Sequence, residues 1–152
     1  MKKFLVIGNP IEHSLSPMLH NYWIKDNGID AIYEKQKLNN NELEKIILQL
    51  KEKKIDGVNV TVPFKKIIIP FLDKLSIEAD KTQSVNTLYL KNDKVIGHNT
   101  DIFGFETSIK KSQYDLFNKE VLILGAGGVV PSIIYALNKM KVSKIKISNR
   151  TI

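Results

Sequence analysis

Hydrophobic and polar residues alternate along the chain in short blocks, whose period switches between that of a strand and that of a helix. Residues 4–7 are a brief apolar run that ends in turn residues, as expected for a buried parallel strand. In residues 41–53, leucines and isoleucines recur at helical spacing with charges on the other face. Residues 58–62 read Val-Asn-Val-Thr-Val, and this strict alternation predicts a further strand.

Caps and turn residues delimit the remaining elements of the first two thirds of the chain. Ser16-Pro17 begins a predicted helix, with Ser16 as its N-cap, and Asn27-Gly28 ends it. Residues 31–37 carry a weaker strand pattern. The other predicted elements are helices over 66–75, around a proline, and 77–82, and a hairpin of strands over 87–90 and 94–97. This order predicts a βαβαβ unit with an added hairpin.

A second α/β unit begins after a predicted helix over 103–111 and a loop over 112–119. Its predicted elements are a strand over 121–124, a helix over 131–140 and a strand over 144–148. The chain from Gly125 onward has room for about one βαβ unit, whereas a dinucleotide-binding fold needs two βαβαβ halves. We therefore expect the second unit to be truncated, and the fold class to be α/β throughout.

Composition narrows the classes of partner. The 152 residues are 43% hydrophobic, which is enough for a real core, and their formal net charge is +7. A basic excess can indicate nucleic-acid binding. Here, however, Arg150 is the only arginine, and the lysines are spread along the chain without a basic stripe that alternates with stacking aromatics. The sequence therefore predicts no nucleic-acid partner.

The chain has no cysteine, which excludes a disulfide framework, a thiolate metal site and a cysteine nucleophile. Lys2 and Lys3 precede an apolar run, but that run is too short for a signal peptide, and no stretch approaches transmembrane length. A soluble cytoplasmic protein without a membrane partner is the expectation. The three histidines have no carboxylate-rich cluster beside them, so no metal site is predicted.

The strand over 58–62 carries the first candidate site. Its alternation places Asn59 and Thr61 on one face, and Lys65 follows just past the strand's end. Ligands of open α/β sheets bind outside the carboxyl ends of strands. Two hydrogen-bonding groups and an amine in that place predict a site for a polyhydroxylated molecule beside a proton donor.

The second candidate site is glycine-rich. Gly125-Ala126-Gly127-Gly128 follows an apolar strand and precedes a helix, the context of a dinucleotide-binding turn, although methyltransferases share such a motif. At the end of the next strand stand Asn149, Arg150 and Thr151, and an arginine at that position suits the 2′-phosphate of NADP. A solvated terminal arginine is the alternative.

Three further segments complete a pattern, over residues 4–151, that resembles shikimate dehydrogenase: residues 9–17, 85–87 and 97–101. The resemblance implies that Ser14 and Ser16 bind the carboxylate of shikimate. The resemblance further implies that the hydroxyls of shikimate are held by Asn59, Thr61, Lys65, Asn86 and Asp101. Lys65 and Asp101 would form the catalytic pair, and the cofactor NADP would contact Gly125, Ala126, Gly127, Gly128, Val129, Asn149, Arg150 and Thr151. The pattern departs from the family at Val130, in place of a small residue, and at Pro131, where a basic residue is common.

The resemblance also implies a division of the chain. Residues 1–101 would be the substrate-binding catalytic domain, 102–118 a linker helix and loop, and 119–152 the start of a Rossmann-type NADP-binding domain, truncated. The implied function is the reversible NADPH-dependent reduction of 3-dehydroshikimate to shikimate in aromatic amino acid biosynthesis. The alternatives are a quinate/shikimate dehydrogenase that uses NAD and a non-catalytic shikimate-binding fragment. The oligomeric state is left open, a homodimer included.

Each site residue taken singly has a structural alternative. Ser16 and Asp101 could cap helices, Asn86 could form a turn, and Lys65 could be one exposed lysine among many. Sequence also leaves open how Lys65 and Asp101 divide the proton transfer, because a nearby carboxylate and burial act on a lysine in opposite directions.

Overall fold

The computed structural model of this chain describes residues 1–150, which fold into alternating strands and helices. The strands are β1 (Lys2–Gly8), β2 (Ala31–Lys37), β3 (Gly57–Val60), β4 (Lys74–Leu75), β5 (Thr87–Lys91), β6 (Lys94–His98), β7 (Glu120–Leu124) and β8 (Lys144–Ser148). The α-helices are α1 (Ser16–Asp26), α2 (Leu43–Lys51), α3 (Phe64–Ile67), α4 (Ile77–Thr82), α5 (Asp101–Lys111) and α6 (Val130–Lys139). Short 3-10 helices cover Asn40–Glu42 and Ile69–Phe71. The predicted α/β class is confirmed.

Within residues 1–150 the strands form two separate sheets. The larger has six strands in the order β2-β1-β3-β5-β6-β4. β1 is parallel to both β2 and β3, so this half has the predicted βαβαβ arrangement. β5 and β6 form the predicted antiparallel hairpin, and β5 is also antiparallel to β3.

The two faces of the larger sheet bury different residues. One face packs against α2, whose buried positions repeat at helical spacing: Leu43, Ile46, Ile47 and Leu50. On the other face, beneath α1, a smaller cluster contains Val6, Ile11 and Tyr33. Side chains of β1 alternate between these faces, because strand residues point to opposite sides of a sheet. The second face is the one that carries the candidate substrate site.

The prediction of one helix over residues 66–75 is wrong. The segment begins as α3 and a 3-10 helix that contains Pro70, and it then becomes extended in β4. Two contacts explain the change: Asp73 accepts a hydrogen bond from the Val95 amide at 2.8 Å, and Lys74 pairs with Ile96 of β6. Proline also lacks the amide hydrogen that an α-helix would use.

Two smaller sequence predictions are also wrong. Ser16 is the first residue of α1, and Leu15, whose side chain cannot cap, occupies the N-cap position. The strand predicted over 58–62 ends at Val60, so Val62 lies beyond it and is 58% exposed. Val58 and Val60 are buried as predicted.

The second, smaller sheet consists of β7 and β8 in parallel, connected by α6. Its elements lie within a residue or two of their predicted bounds. α5 connects the two sheets along the chain and packs against α6, where Glu106 and Lys139 form an ion pair of 2.6 Å. Because α5 begins directly after the hairpin, it brings the start of the second unit beside the site end of the larger sheet.

Candidate functional site

The segment from Val58 to Lys65 places three candidate side chains at one end of β3. Asn59 lies on the strand, and Thr61 follows one residue beyond its last position. Lys65 lies in α3, directly after Phe64, whose ring is only 1% exposed. The buried ring anchors the short helix in the main core, and so fixes the position from which Lys65 extends.

Lys65 forms an ion pair with Asp101, and 2.6 Å separates Nζ from Oδ2. The two side chains are 15% and 21% exposed, so water screens this pair less than a surface pair. Asp101 is the first residue of α5, where the helix dipole favours a negative charge. Thr100 holds the N-cap position. The capping alternative for Asp101 and the exposed-lysine alternative for Lys65 are therefore both wrong.

Asn86 joins this pair from the loop before β5. Its Nδ2 donates to Oδ1 of Asp101 at 2.8 Å. Its Oδ1 accepts hydrogen bonds from the Thr100 amide and from the Thr87 hydroxyl, each at 3.0 Å. The Val85 amide donates to the carbonyl oxygen of Lys65 at 2.8 Å, which ties the loop to α3. Residues 65, 86 and 101 thus meet although they are distant in sequence.

Asn59 is held entirely by neighbouring protein groups. Its Nδ2 donates to the Asn86 carbonyl and to Oγ1 of Thr87, both at 3.2 Å. Its Oδ1 accepts a hydrogen bond from the Tyr33 hydroxyl at 2.7 Å. Burial raises the pKa of Tyr33 to about 12, so the hydroxyl keeps its proton and acts as the donor in this bond.

The serine-containing loop before α1 lines a cavity of about 400 Å³. Ser14 and Ser16 contribute to its wall, and Thr61 and Val62 face them across it. The amide of Ser16 donates to Oγ of Ser14 at 3.3 Å, so the two hydroxyl-bearing residues lie together. The cavity presents a group of short polar side chains over an apolar floor, an arrangement suited to a small carboxylate or hydroxylated ligand.

Glu12 fastens this loop to β2. Its carboxylate pairs with Lys37 at 3.0 Å and accepts a hydrogen bond from the Ile11 amide at 3.0 Å. Hydrogen bonds from its own backbone amide, from Lys37 and from Ile11 lower the pKa of Glu12 to about 2. The loop that bears the two serines is therefore held by a carboxylate that stays ionised well into the acid range.

A second cavity, of about 590 Å³, lies between the larger sheet and the start of α6. Its walls contain Thr61, Val62 and Lys65 on one side, and Gly127, Gly128, Val129 and Pro131 on the other. Because Thr61 and Val62 line both cavities, the two spaces adjoin. A molecule bound at the serines and another bound at the glycines would meet beside Lys65.

The glycine-rich turn fits a dinucleotide phosphate on two observations. Gly125 has φ +103°, a conformation that L side chains rarely adopt. At Gly127 and Gly128 an added Cβ would meet no atom within 4 Å, so packing does not require glycine there. The open backbone faces the cavity just before α6, where the amides of 126–129 and the helix dipole favour an anion. Pro131 supplies no amide hydrogen to this set.

The other predicted cofactor residues follow β8. The amide of Gly125 donates to the carbonyl of Ser148 at 2.7 Å, so the glycine-rich turn begins beside the end of β8. Asn149 and Arg150 come next, and both are exposed. Thr151 lies outside the described residues.

The sequence did not indicate several polar residues that surround the site. Tyr33, Thr87 and Thr100 contact the side chains of Asn59 and Asn86. A buried cluster beside the glycine-rich turn was also missed: Thr82, Ser84, Asn99 and Ser132. Thr87, Asn99 and Thr100 lie within segments 85–87 and 97–101, which carry the resemblance, and this is a signal that sequence could have used; Tyr33 gives no comparable local signal.

His13 lines the serine cavity, and the ring of His20 stacks on Tyr33 at 4.2 Å between centroids. His98 lies 2.8 Å from Oγ of Ser76. Among residues 1–150 no group of three or more histidines and carboxylates could hold a metal ion. Over the same range, no helix combines the length and the apolar character needed to span a bilayer.

Comparison with known proteins assigns most of the larger sheet to one family. Residues 6–88 match the family model described as shikimate dehydrogenase substrate binding domain. The chain is 60% identical over 150 residues to the shikimate dehydrogenase (NADP(+)) of Pelagibacter ubique. That alignment covers 99% of this chain and 57% of the relative.

Solved structures give the same result for the fold. The shikimate dehydrogenase of Aquifex aeolicus superposes with a TM-score of 0.92 at 42% identity, over 99% of this chain and 56% of that protein. The shikimate 5-dehydrogenase of Thermus thermophilus, in complex with NADP(H) and shikimate, superposes with a TM-score of 0.89 at 32% identity. This match covers 99% of this chain and 57% of that protein. The chain thus spans a little over half the length of these relatives.

Proposed function

The chain belongs to the shikimate dehydrogenase substrate-binding domain family, and from that premise we propose that it serves the NADP-dependent interconversion of 3-dehydroshikimate and shikimate. The observation that carries the proposal is the shielded ion pair of Lys65 and Asp101, with Asn86 bound to the same carboxylate. A paired amine and carboxylate beside a polar cavity suits proton exchange with a substrate oxygen.

The proposal includes the division of labour along the chain. Residues 1–101 would bind substrate, residues 102–118 would link the two units, and residues 119–152 would begin the NADP-binding unit. The separation of the strands into two sheets supports this division. The reaction would belong to chorismate and aromatic amino acid biosynthesis in the cytoplasm.

Substrate recognition would use the serine cavity and the Lys65 end of the adjoining one. Shikimate carries one carboxylate and three hydroxyls, which need short side chains that donate and accept hydrogen bonds. Ser14 and Ser16 would hold the carboxylate in the serine cavity. Thr61, which lines both cavities, would contact the ring hydroxyls together with Asn86 and the ion pair. The charged pair and the serines then bind opposite ends of the ring.

The reaction needs a proton at the oxygen that becomes a hydroxyl. Lys65 would give its Nζ proton to that oxygen during ketone reduction and take it back during oxidation. Asp101, 2.6 Å away, would keep the ammonium group oriented toward the cavity. Asn86 would hold Asp101 through its second carboxylate oxygen. Bound NADPH would supply the hydride.

Cofactor binding would rest on the glycine-rich turn and on the residues after β8. The amides of 126–129, just before α6, would contact the pyrophosphate. Arg150 would pair with the 2′-phosphate, beside Asn149 and Thr151, because a guanidinium matches phosphate geometry. Arginine rather than an acidic residue at that place supports NADP over NAD.

The test is nicotinamide reduction by the full-length product of the gene, with shikimate and quinate against NADP and NAD in all four pairings. We expect activity with shikimate and NADP, and little in the other pairings. Comparable rates with quinate or NAD would instead indicate the broader quinate/shikimate class. Shikimate binding without any turnover would indicate a binding module.

A further inference from the structure

A chain of side-chain hydrogen bonds runs from the far edge of the larger sheet to the carboxylate of Asp101. It begins at Tyr33 on β2, where the hydroxyl donates to Oδ1 of Asn59 at 2.7 Å. Asn59 Nδ2 donates to Oγ1 of Thr87 at 3.2 Å, and that hydroxyl donates to Oδ1 of Asn86 at 3.0 Å. Asn86 Nδ2 then donates to Asp101 at 2.8 Å. Every link runs from donor to acceptor in one direction.

Burial, ring stacking and side-chain hydrogen bonds to its backbone all hold Tyr33 in place. Its ring is 4% exposed and stacks on His20, with centroids 4.2 Å apart and the planes 4° from parallel. The side chain of Asn21 bonds both backbone groups of Tyr33, donating to the carbonyl at 2.8 Å and accepting from the amide at 2.9 Å. Two neighbouring residues of α1 thus hold the backbone and the ring of one residue on the edge strand.

Asn59 has no donor left for a ligand. A carboxamide has two N–H donors, and those of Asn59 go to the Asn86 carbonyl and to Thr87. Its carbonyl oxygen receives the Tyr33 proton. A flip of the amide would place its oxygen against the Asn86 carbonyl, where two acceptors repel each other, and would remove the acceptor of the Tyr33 proton.

The chain ends in a group whose orientation matters to the ion pair. If the Asn86 amide flipped, its oxygen would face Oδ1 of Asp101, and two acceptors would repel each other. Two donors on Oδ1 of Asn86 prevent this, the Thr87 hydroxyl and the Thr100 amide. The Thr87 hydroxyl has one proton, which goes to Oδ1 of Asn86 while Asn59 presents an N–H to Thr87. If the Asn59 amide flipped, its oxygen would compete for that proton, so the Tyr33 bond bears on the same orientation.

We propose that Tyr33 and Asn59 are positioning residues, which act on the Lys65–Asp101 pair through Thr87 and Asn86 rather than through contact with substrate. This inference rests on the proposed function. It assigns Asn59 an indirect role in place of a hydroxyl contact. Because the Thr100 amide shares the task of holding Asn86, the loss of Tyr33's bond weakens the arrangement without abolishing it.

The decisive variant is Tyr33→Phe, which removes the hydroxyl and keeps the buried ring. In the full-length gene product, we expect kcat to fall about threefold to tenfold, the size of one hydrogen bond, with the shikimate KM within about twofold. Tyr22→Phe is the matched control, because Tyr22 is 63% exposed on α1 and lies outside the chain of bonds. It should leave both constants unchanged.

A double variant distinguishes a positioning role from a general loss of rigidity, because the effects on kcat of two residues in one chain of bonds do not add. Thr87→Val interrupts the same chain at its third member, so Tyr33→Phe/Thr87→Val should lower kcat no further than the worse single variant. A double variant whose losses multiply would overturn the inference. Should Tyr33→Phe fail to fold, Thr87→Val with the same kcat-against-KM readout carries the test.

A second readout does not depend on turnover. In the 152-residue chain, the side-chain amide resonances of Asn86 should shift in Tyr33→Phe and stay in place in Tyr22→Phe. Unchanged Asn86 resonances, or an unchanged kcat in an active enzyme, would overturn the inference. An inactive wild type would instead refute the proposed function, while the resonances would still decide whether Tyr33 orients Asn86.

Discussion

At the scale of single residues, the proposed chemistry depends on one lysine among many. Replacing Lys65 by alanine removes the proton donor but leaves the serine cavity intact. We expect turnover in the full-length product to fall about 10²- to 10⁴-fold, the usual contribution of a general acid or base. Shikimate should still bind, as calorimetry can measure. Lys45→Ala, at an exposed position on α2, is the control, and near-normal turnover of Lys65→Ala would refute the assignment.

Glu12 gives a prediction for the acid range. Its pKa is lowered in the folded chain from 4.5 to about 2, so its contribution to stability is present above pH 4.5. That contribution is lost as the pH falls from 4.5 toward about 2. Urea unfolding should therefore show Glu12→Gln less stable than wild type at pH 6, with a smaller gap at pH 3. A gap independent of pH would contradict the ion-pair account, and Glu44→Gln, at an exposed position on α2, should show no such gap.

At the scale of elements, the last residue of β1, Gly8, lies so close to the Thr61 segment that a larger residue does not fit there. A Cβ at Gly8 would lie 2.6 Å from Cγ2 of Thr61 and 3.0 Å from the Val62 carbonyl. Gly8→Ala should destabilise the chain by about 1–3 kcal/mol, as overpacking does. It should also weaken shikimate binding, because Thr61 must move.

The control for this change is Gly104→Ala on α5. An added Cβ there meets nothing within 4 Å, and alanine favours a helix. We expect a gain of about 0.5–1 kcal/mol in the free energy of unfolding. Unfolding curves for the two variants should thus move in opposite directions, and equal shifts would show that the close approach does not matter.

Asn99 connects elements of both units. Its Nδ2 lies within hydrogen-bond distance of the Ser84 carbonyl and of Oγ of Ser132 on α6, each at 2.8 Å. Asn99→Ala leaves these groups unpaired and opens a cavity, so we expect a loss of about 2–4 kcal/mol. Asn138→Ala, on the exposed face of α6, should change stability by less than about 0.5 kcal/mol. Equal losses in the two variants would contradict this account.

At the scale of the whole molecule, sequence predicts what is local and misses what depends on register. The alternation around Asn59 and the position of Lys65 are local patterns, and both point to the candidate site. The bond from Tyr33 to Asn59 crosses β1, and it exists only because Tyr33 pairs with Phe4 and Val6 with Asn59. Periodicity within one strand contains no information about such pairing.

Long-range packing explains the wrong helix in the same way. Leu72 and Leu75 fit a helical pattern, yet their side chains close over Gly97, where a Cβ would meet them at 2.5 and 3.0 Å. Because Gly97 has no side chain, the two leucines can occupy that space. Their packing there favours the extended backbone of β4 over a helix. A pattern within the segment cannot reveal a gap in a hairpin more than twenty residues later.

The adjoining cavities lead to a last prediction for the molecule as a whole. Val129 is 41% exposed and lines the cavity opposite Lys65, whereas Ser14 and Ser16 line the other. Val129→Trp should fill the space at the glycine-rich turn and raise the KM for NADP about fivefold to hundredfold, since a clash of ~1–3 kcal/mol converts to that range. Shikimate affinity, measured by calorimetry, should change less than twofold. Leu48→Trp, on the exposed face of α2, controls for the added ring, and an equal loss of both affinities would show that the two cavities act as one site.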